Sequence, residues 1–419
     1  MNKELSLYVH IPFCIRKCLY CDFLSFNASG DLVDEYFKAL GKEIAISARK
    51  FVDYEVKSIF LGGGTPSFPD AQYVCNILRQ IKENYNISDE AEISLEVNPA
   101  SAIAEKLIAY RQAGFNRISI GAQSLNDDEL KKLGRVHNEA MFYETYENAR
   151  KAGFDNINID IMSALPGQSL ESYLDTVRKV IGLRPEHISA YSLIVEEGTP
   201  FYDMDLDLPS EDVDREMYHE TKRLLAENGY HRYEISNYAL SEKTECYHNK
   251  VYWKRGNYLG LGLGASSMVE NVRWSNITDI ENYIDVFKNV KINECKKVNN
   301  HVESVDNFLH SNSFVDNTTP EQSAPNVLNL LRENVEKLSK ESQMEEFMFL
   351  GLRLVKGVSL EEFKQQFKLD ITEVYGDIIN KYQNMGLLNK YTLGKEDYLC
   401  LTDKGLDVSN TVMADFLLD

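Results

Sequence analysis

Between residues 5 and 193, short apolar runs alternate with longer stretches in which apolar positions recur every three or four residues. The runs at 5–10, 58–61, 92–97, 117–120, 156–161 and 187–193 are rich in β-branched and aromatic residues and predict strands. The stretches at 32–49, 70–83, 101–113 and 170–181 carry a helical period. Strands that alternate with helices in this way imply a parallel sheet with right-handed crossovers. The expected fold is α/β, a partial (β/α)6 barrel of the TIM-like kind, with function at the C-terminal ends of the strands.

Beyond residue 210 the pattern changes. A helix is predicted over 213–228, followed by strand-and-loop sequence from YEISNYA to YLGLGLGASS. Residues 296–337 are polar, rich in Asn, Ser and Glu, and lack a persistent period, so a loop-like insertion or linker is expected. Helical periodicity returns in EEFMFLGLRLV, LEEFKQQF and 374–385, and GLLNKYTLGKEDYLCLT reads as a β-hairpin after them. That order predicts a small C-terminal domain, helical and winged-helix-like. The expected divisions are a barrel at 1–230, an α/β extension at 231–295, the polar segment at 296–337 and the terminal domain at 338–419.

Composition narrows the function classes. Hydrophobic residues make up 43% of the 419 and charged residues 26%, as in ordinary globular proteins. The formal charge of −20 argues against nucleic-acid partners, tRNA included, since phosphates call for a basic face. No apolar run reaches the roughly 18–20 residues of a membrane span, and the N-terminus lacks a secretory apolar stretch. A cytoplasmic protein is expected.

Seven cysteines, an odd number, do not suggest a disulfide framework. Cys75, Cys246, Cys295 and Cys400 read as buried small hydrophobes, whereas Cys14, Cys18 and Cys21 fall within eight residues. Their C-x3-C-x2-C spacing, on a loop after a strand, lets soft thiolates share one centre, either zinc or an iron–sulfur cluster. A structural zinc needs a fourth ligand, for which His10 is the nearest candidate but lies within the strand. Three thiolates on a cubane leave one iron open to a small molecule.

Other unusual residues fall at the remaining strand ends. Gly62-Gly63-Gly64-Thr65-Pro66 follows the second strand and allows close approach of the backbone to a ligand. Glu96 ends the third strand, Gln123 the fourth, and Asp160 lies near the end of the fifth. Arg135 opens the helical region after the fourth strand and suits a carboxylate. A solitary surface polar group is the ordinary alternative for each, but together they supply a cation and hydroxyl acceptors in the order a nucleotide-bearing ligand requires.

C-x3-C-x-Φ-C, with Tyr20 before the last cysteine, resembles the signature of the radical S-adenosylmethionine superfamily. LYVHIPFC, GGGTP, E-x-N-P, GAQS, LGRVHN, LPGQ, YEISNYA, HNKVYW and YLGLGLGASS together resemble the group containing oxygen-independent coproporphyrinogen III oxidase and a related heme chaperone. The resemblance spans residues 4–290 and, more loosely, the C-terminal domain. It implies a [4Fe–4S] cluster on Cys14, Cys18 and Cys21. It also implies S-adenosylmethionine contacts from Tyr8, Tyr20, Gly63, Gly64, Thr65, Glu96, Gln123, Arg135 and Asp160.

Three features favour the heme-chaperone branch over the oxidase. They are the short sequence before Cys14, Phe23 where the oxidase carries a further cysteine, and the H-N-x-x-Y-W motif from His248 to Trp253. That branch implies heme as cofactor, with His248 as its proposed ligand, although a histidine beside two aromatics is commonly a packed structural one. It further implies heme-accepting apo-proteins as partners, respiratory membrane proteins among them, and a homodimer. The alternative function is oxidative decarboxylation of coproporphyrinogen III propionates in heme biosynthesis, and reductive heme opening is a related option.

Overall fold

Alternation along the first strand sets the frame. In β1 (Lys3–Ile11), Leu5, Leu7, Val9 and Ile11 are buried in the main apolar core, so the pleat turns Ser6, Tyr8 and His10 to the other face. The computed structural model describes residues 3–290 and 324–418. Strands β2 (Tyr54–Gly63), β3 (Ile87–Val97), β4 (Arg117–Gln123), β5 (Ile157–Ser163) and β6 (His187–Ser192) follow in parallel, in chain order. Helices α1 (Asp31–Ser47), α2 (Ala71–Asn84), α3 (Ala104–Ala113), α4 (Asp127–Lys132), α5 (Glu139–Lys151) and α6 (Leu170–Leu183) connect them. The side chains of Asp70, Asn138 and Ser169 cap α2, α5 and α6, satisfying amides that a helix start leaves unpaired.

The six predicted strands are therefore present in the predicted order, and the α/β radical-barrel expectation holds. The run does not close on itself. After α7 (Glu211–Glu227), β6 pairs antiparallel with β8 (Asn237–Ala239), which pairs with β7 (His231–Arg232). On the far side β1 pairs in parallel with β9 (Tyr258–Leu261), which lies beyond α8 (Tyr247–Trp253). Antiparallel β10 (Ser266–Val269), β11 (Val272–Asn276) and β12 (Arg332–Lys337) extend that flank to a sheet of 12 strands.

The polar segment departs from its expected loop character at its end. Residues 332–337 form the edge strand β12, held by backbone pairing to β11. Its sequence RENVEK is mostly exposed, so no buried side chain signals the strand. A short helix, Ala324–Asn329, precedes it. Cys295 and residues 296–323 lie outside the described residues.

The C-terminal region has its own core, including Met348, Phe363, Phe367, Tyr375 and Leu399. Helices Lys340–Gly351, Leu360–Phe367 and Ile371–Asn384 pack beside a sheet of three strands ordered β13 (Val358–Ser359), β15 (Glu396–Leu401) and β14 (Leu388–Leu393). The predicted helical trio and hairpin are both present.

A buried carboxylate ties the flank to the barrel. Glu43 on α1 accepts hydrogen bonds from Gly262 N at 2.8 Å, Tyr283 Oη at 2.5 Å and Asn276 Nδ2 at 2.7 Å. Tyr283 lies on α9 (Ile280–Lys288), so one side chain joins three elements. Glu43→Ala is expected to lower unfolding free energy by about 3 kcal/mol, because three buried donors lose their acceptor. Urea denaturation of the full chain measures this, and a loss below about 1 kcal/mol would contradict it.

Candidate cofactor site at the mouth of the sheet

The inner face of the six strands is polar. Glu92, Ser94 and Glu96 alternate along β3, Arg117 and Ser119 along β4, Asn158 and Asp160 along β5, and His187 and Ser189 along β6. Period-two placement carries each set to one face. Above this face, at the C-terminal strand ends, lies a cavity of 360 Å³. It is lined by Cys14, Cys18, Cys21, Tyr20, Gly63, Gly64, Thr65, Glu96, Gln123, Arg135 and Asp160, so sequence-predicted residues from many loops meet there.

The cysteine loop is anchored by its backbone. Cys14 N donates to Phe26 O at 3.0 Å, Leu19 N to Leu133 O at 3.1 Å, and Phe201 N to Leu19 O at 3.0 Å. Cys14 Sγ lies 3.4 Å from Thr65 Oγ1, and Arg135 Nη1 lies 3.7 Å from Cys18 Sγ. Burial raises the thiol pKa of Cys14 and pushes that of Cys21 up to about 11. Among the described residues, no three His, Cys, Asp or Glu side chains are gathered tightly enough to hold a single metal ion. All three thiols line the same cavity, and a cluster would take one thiolate on each of three irons there.

The glycine loop is a cradle. Gly63 has φ 110°, and a Cβ there would lie 2.5 Å from His10 Cε1. At Gly64 a Cβ would lie 2.9 Å from Phe13 O and 3.0 Å from Cys14 Sγ. Gly63 N points to Glu96 Oε2 at 3.3 Å, which links the second and third strand ends. A bulge between Gly121 and Gln123 re-aims the end of β4, with Gln123 at φ 66°. Gln123 Oε1 accepts from Tyr191 Oη at 2.9 Å.

Three features match the implied cofactors. The thiols are soft donors. The glycine cradle excludes side chains where a small ligand must approach. Arg135 donates from Nη2 to Gly121 O at 2.6 Å, but its Nε is buried without a hydrogen-bond partner. A free guanidinium donor is what an arriving carboxylate would satisfy. The residues thus fit a [4Fe–4S] cluster and S-adenosylmethionine.

Two predicted site residues stand apart. Tyr8 is half-buried, with its hydroxyl 3.0 Å from His10 Nδ1, and is not among the residues that line the cavity. His248, on α8, is 1% exposed. Its Nδ1 lies 2.8 Å from Ser58 Oγ and its Nε2 2.9 Å from Tyr252 Oη, and its ring stacks on Phe60. Burial and nearby Arg117 lower its pKa to about 3. Both ring nitrogens are therefore occupied in this conformation. Sequence reasoning missed Met162, Tyr191, Ser192 and Ile194 in the lining. Their place at the ends of β5 and β6 was the available signal.

A barrel of this topology with a C-x3-C-x2-C loop at its mouth defines the radical S-adenosylmethionine class. The chain accordingly matches the Radical SAM superfamily over residues 8–180 and the HemN C-terminal domain over residues 338–408. Heme chaperone HemW of Lactococcus lactis is 35% identical over 423 residues, spanning 100% of this chain and 99% of that protein. Heme chaperone HemW of Bacillus subtilis is 33% identical over 417 residues, spanning 98% and 99%. The chain belongs to the HemW family. The solved structure of coproporphyrinogen III oxidase, HemN, from Escherichia coli shares the fold, with a TM-score of 0.77 at 24% identity over 99% of this chain and 90% of that one. No helix among the described residues is long and apolar enough to cross a membrane.

Glu96 gives the site a testable charge signature. Burial, then the neighbouring Asp160 carboxylate, push its pKa up to about 8. Between the ordinary carboxyl pKa and about 8, the folded chain holds a proton that the unfolded chain releases. Stability of the cofactor-free protein should therefore fall as pH rises through this window, by up to about 1.4 kcal/mol per pH unit from this group. Glu96→Gln should flatten that slope in urea denaturation between about pH 6 and pH 8. An unchanged slope would show that Glu96 is ionised throughout.

Proposed function

We propose that the chain is a heme chaperone that binds heme and passes it to apo-proteins, while its barrel mouth holds a [4Fe–4S] cluster and S-adenosylmethionine. The observation that carries this reading is the end-to-end similarity to Heme chaperone HemW, 35% identical across 100% of this chain. The H-N-x-x-Y-W motif on α8 and Phe23 after the third cysteine support the same branch. Work in the cytoplasm, and dimer formation, belong to this reading.

Cys14, Cys18 and Cys21 would hold the cluster, whose bound form supplies redox capacity and an open iron for S-adenosylmethionine. Gly63, Gly64 and Thr65 would receive the amino group, Arg135 the carboxylate, and Glu96 and Asp160 the ribose hydroxyls. A protonated Glu96 donates a hydrogen bond where an ionised one only accepts. Gln123 and Tyr20 would close the sides, and Tyr8 would act indirectly, by fixing His10 against the glycine loop. Loss of the orphaned donor should weaken ligand binding most, so Arg135→Ala is expected to reduce S-adenosylmethionine affinity by roughly 30-fold or more.

Heme would be ligated by His248 once α8 has moved, with Tyr247, Tyr252 and Trp253 available to pack on the macrocycle. Anaerobic heme titration of the cluster-reconstituted chain, followed by difference absorbance, tests the reading. Saturable binding near one heme per chain is expected, with an altered spectrum in His248→Ala. If the intact protein shows no saturable heme uptake, the chaperone reading is wrong.

A further inference from the structure

The α8 helix is held at both ends, and by different parts of the molecule. At its start, Glu92 on β3 accepts from Tyr247 N at 2.8 Å and from His248 N at 3.2 Å. A carboxylate at a helix N-terminus satisfies free amides and favours the dipole. At its end, helix Lys340–Gly351 of the C-terminal domain packs against it. Glu346 on that helix receives Arg255 Nε at 3.0 Å and Arg273 Nη2 at 2.5 Å. Arg353 lies over the ring of Trp253, its Cζ 4.4 Å from the centroid.

This second attachment is strong in charge yet incomplete in hydrogen bonding. Arg255 and Glu346 are almost fully buried, at 3% and 7% side-chain exposure, so their pairing resists partial loosening. Trp253 Nε1 and Arg353 Nε, however, are buried with no hydrogen-bond partner. Unsatisfied donors at a seam make its closed form less favourable than packing alone suggests. The seam borders the segment whose His248 has both nitrogens occupied. One of those contacts is Tyr252 Oη, on the same helix and one residue from Trp253.

We propose that the C-terminal domain is a latch on α8, and that its undocking releases Trp253 and Tyr252 and so exposes His248 Nε2 to an incoming ligand. Glu346 and Arg353 are the positioning residues of the closed state. The start of α8 stays fixed on Glu92, so the helix opens from its C-terminal end. The ligand, heme, comes from the proposed function above; the latch itself does not depend on it.

Hydrogen exchange on the full-length chain tests the latch directly. In Glu346→Gln, exchange of the amides from Val251 to Gly256 should accelerate tenfold or more, while α1 and the β14–β15 hairpin keep their wild-type rates. Arg353→Ala should act in the same direction, and both variants should take up added heme faster than the parent. Unchanged exchange in α8 for both variants overturns the proposal. A parallel rise in α1 and the hairpin also overturns it, because general unfolding would then be the cause. Selective α8 opening without heme uptake in any form would leave the latch standing and remove the heme reading. Heme uptake with equal rates in all forms and no α8 opening would do the reverse.

Discussion

The structure depends on keeping charge balanced inside the curved sheet. Arg117 on β4 is 2% exposed, and it faces a surface that also carries Glu92, Glu96 and Asp160. Isolated charges in such surroundings are prohibitive, so each must be paired, hydrogen-bonded or neutralised. Glu92 meets this by capping α8. Asp160 does so through Asn158 Nδ2 at 2.7 Å and Ser119 Oγ at 3.0 Å. Glu96 does so by retaining a proton, as its raised pKa indicates. An apolar interior would have been simpler to fold, but it would have left the mouth without acceptors or a cation.

This polar interior also connects regions that are distant in sequence. Asn158 Oδ1 lies 2.5 Å from His187 Nδ1, and His187 Nε2 lies 2.8 Å from Tyr233 Oη. Tyr233 Oη in turn accepts from Cys246 N at 3.2 Å, at the head of α8. Side chains from β5, β6 and the β7–β8 region therefore form one chain of hydrogen bonds from the cavity floor to the helix that bears His248. Removing a middle member would strand two buried partners, so the chain specifies one arrangement of these elements.

Much of this is legible in the sequence. The short apolar runs rich in β-branched and aromatic residues marked β1 to β6 to within about five residues of their observed ends, because burial on a parallel sheet leaves a strong apolar signal. The cysteine spacing, the glycine run and Arg135 marked the mouth, since each residue type serves a narrow chemical purpose. What stayed hidden depends on pairing between distant segments. β12 has no apolar alternation, and its existence follows from the free edge of β11. The burial of His248 follows from Phe60, Ser58 and Tyr252 closing around it, and local sequence does not report such enclosure.

The position of His248 has a physical consequence for any heme-handling role. A histidine held open to solvent beside exposed aromatics would bind heme readily, yet would also present an apolar patch to every other protein. Burying the ring between Phe60 and Tyr252 removes that patch and keeps the imidazole neutral, with its pKa lowered to about 3. Neutral imidazole is the form that ligates iron. If His248 is the heme ligand, as proposed, the energy needed to open its enclosure would reduce apparent affinity by the fraction of molecules that are open. A chaperone benefits from that reduction, since a carrier that binds its cargo too tightly cannot pass it on.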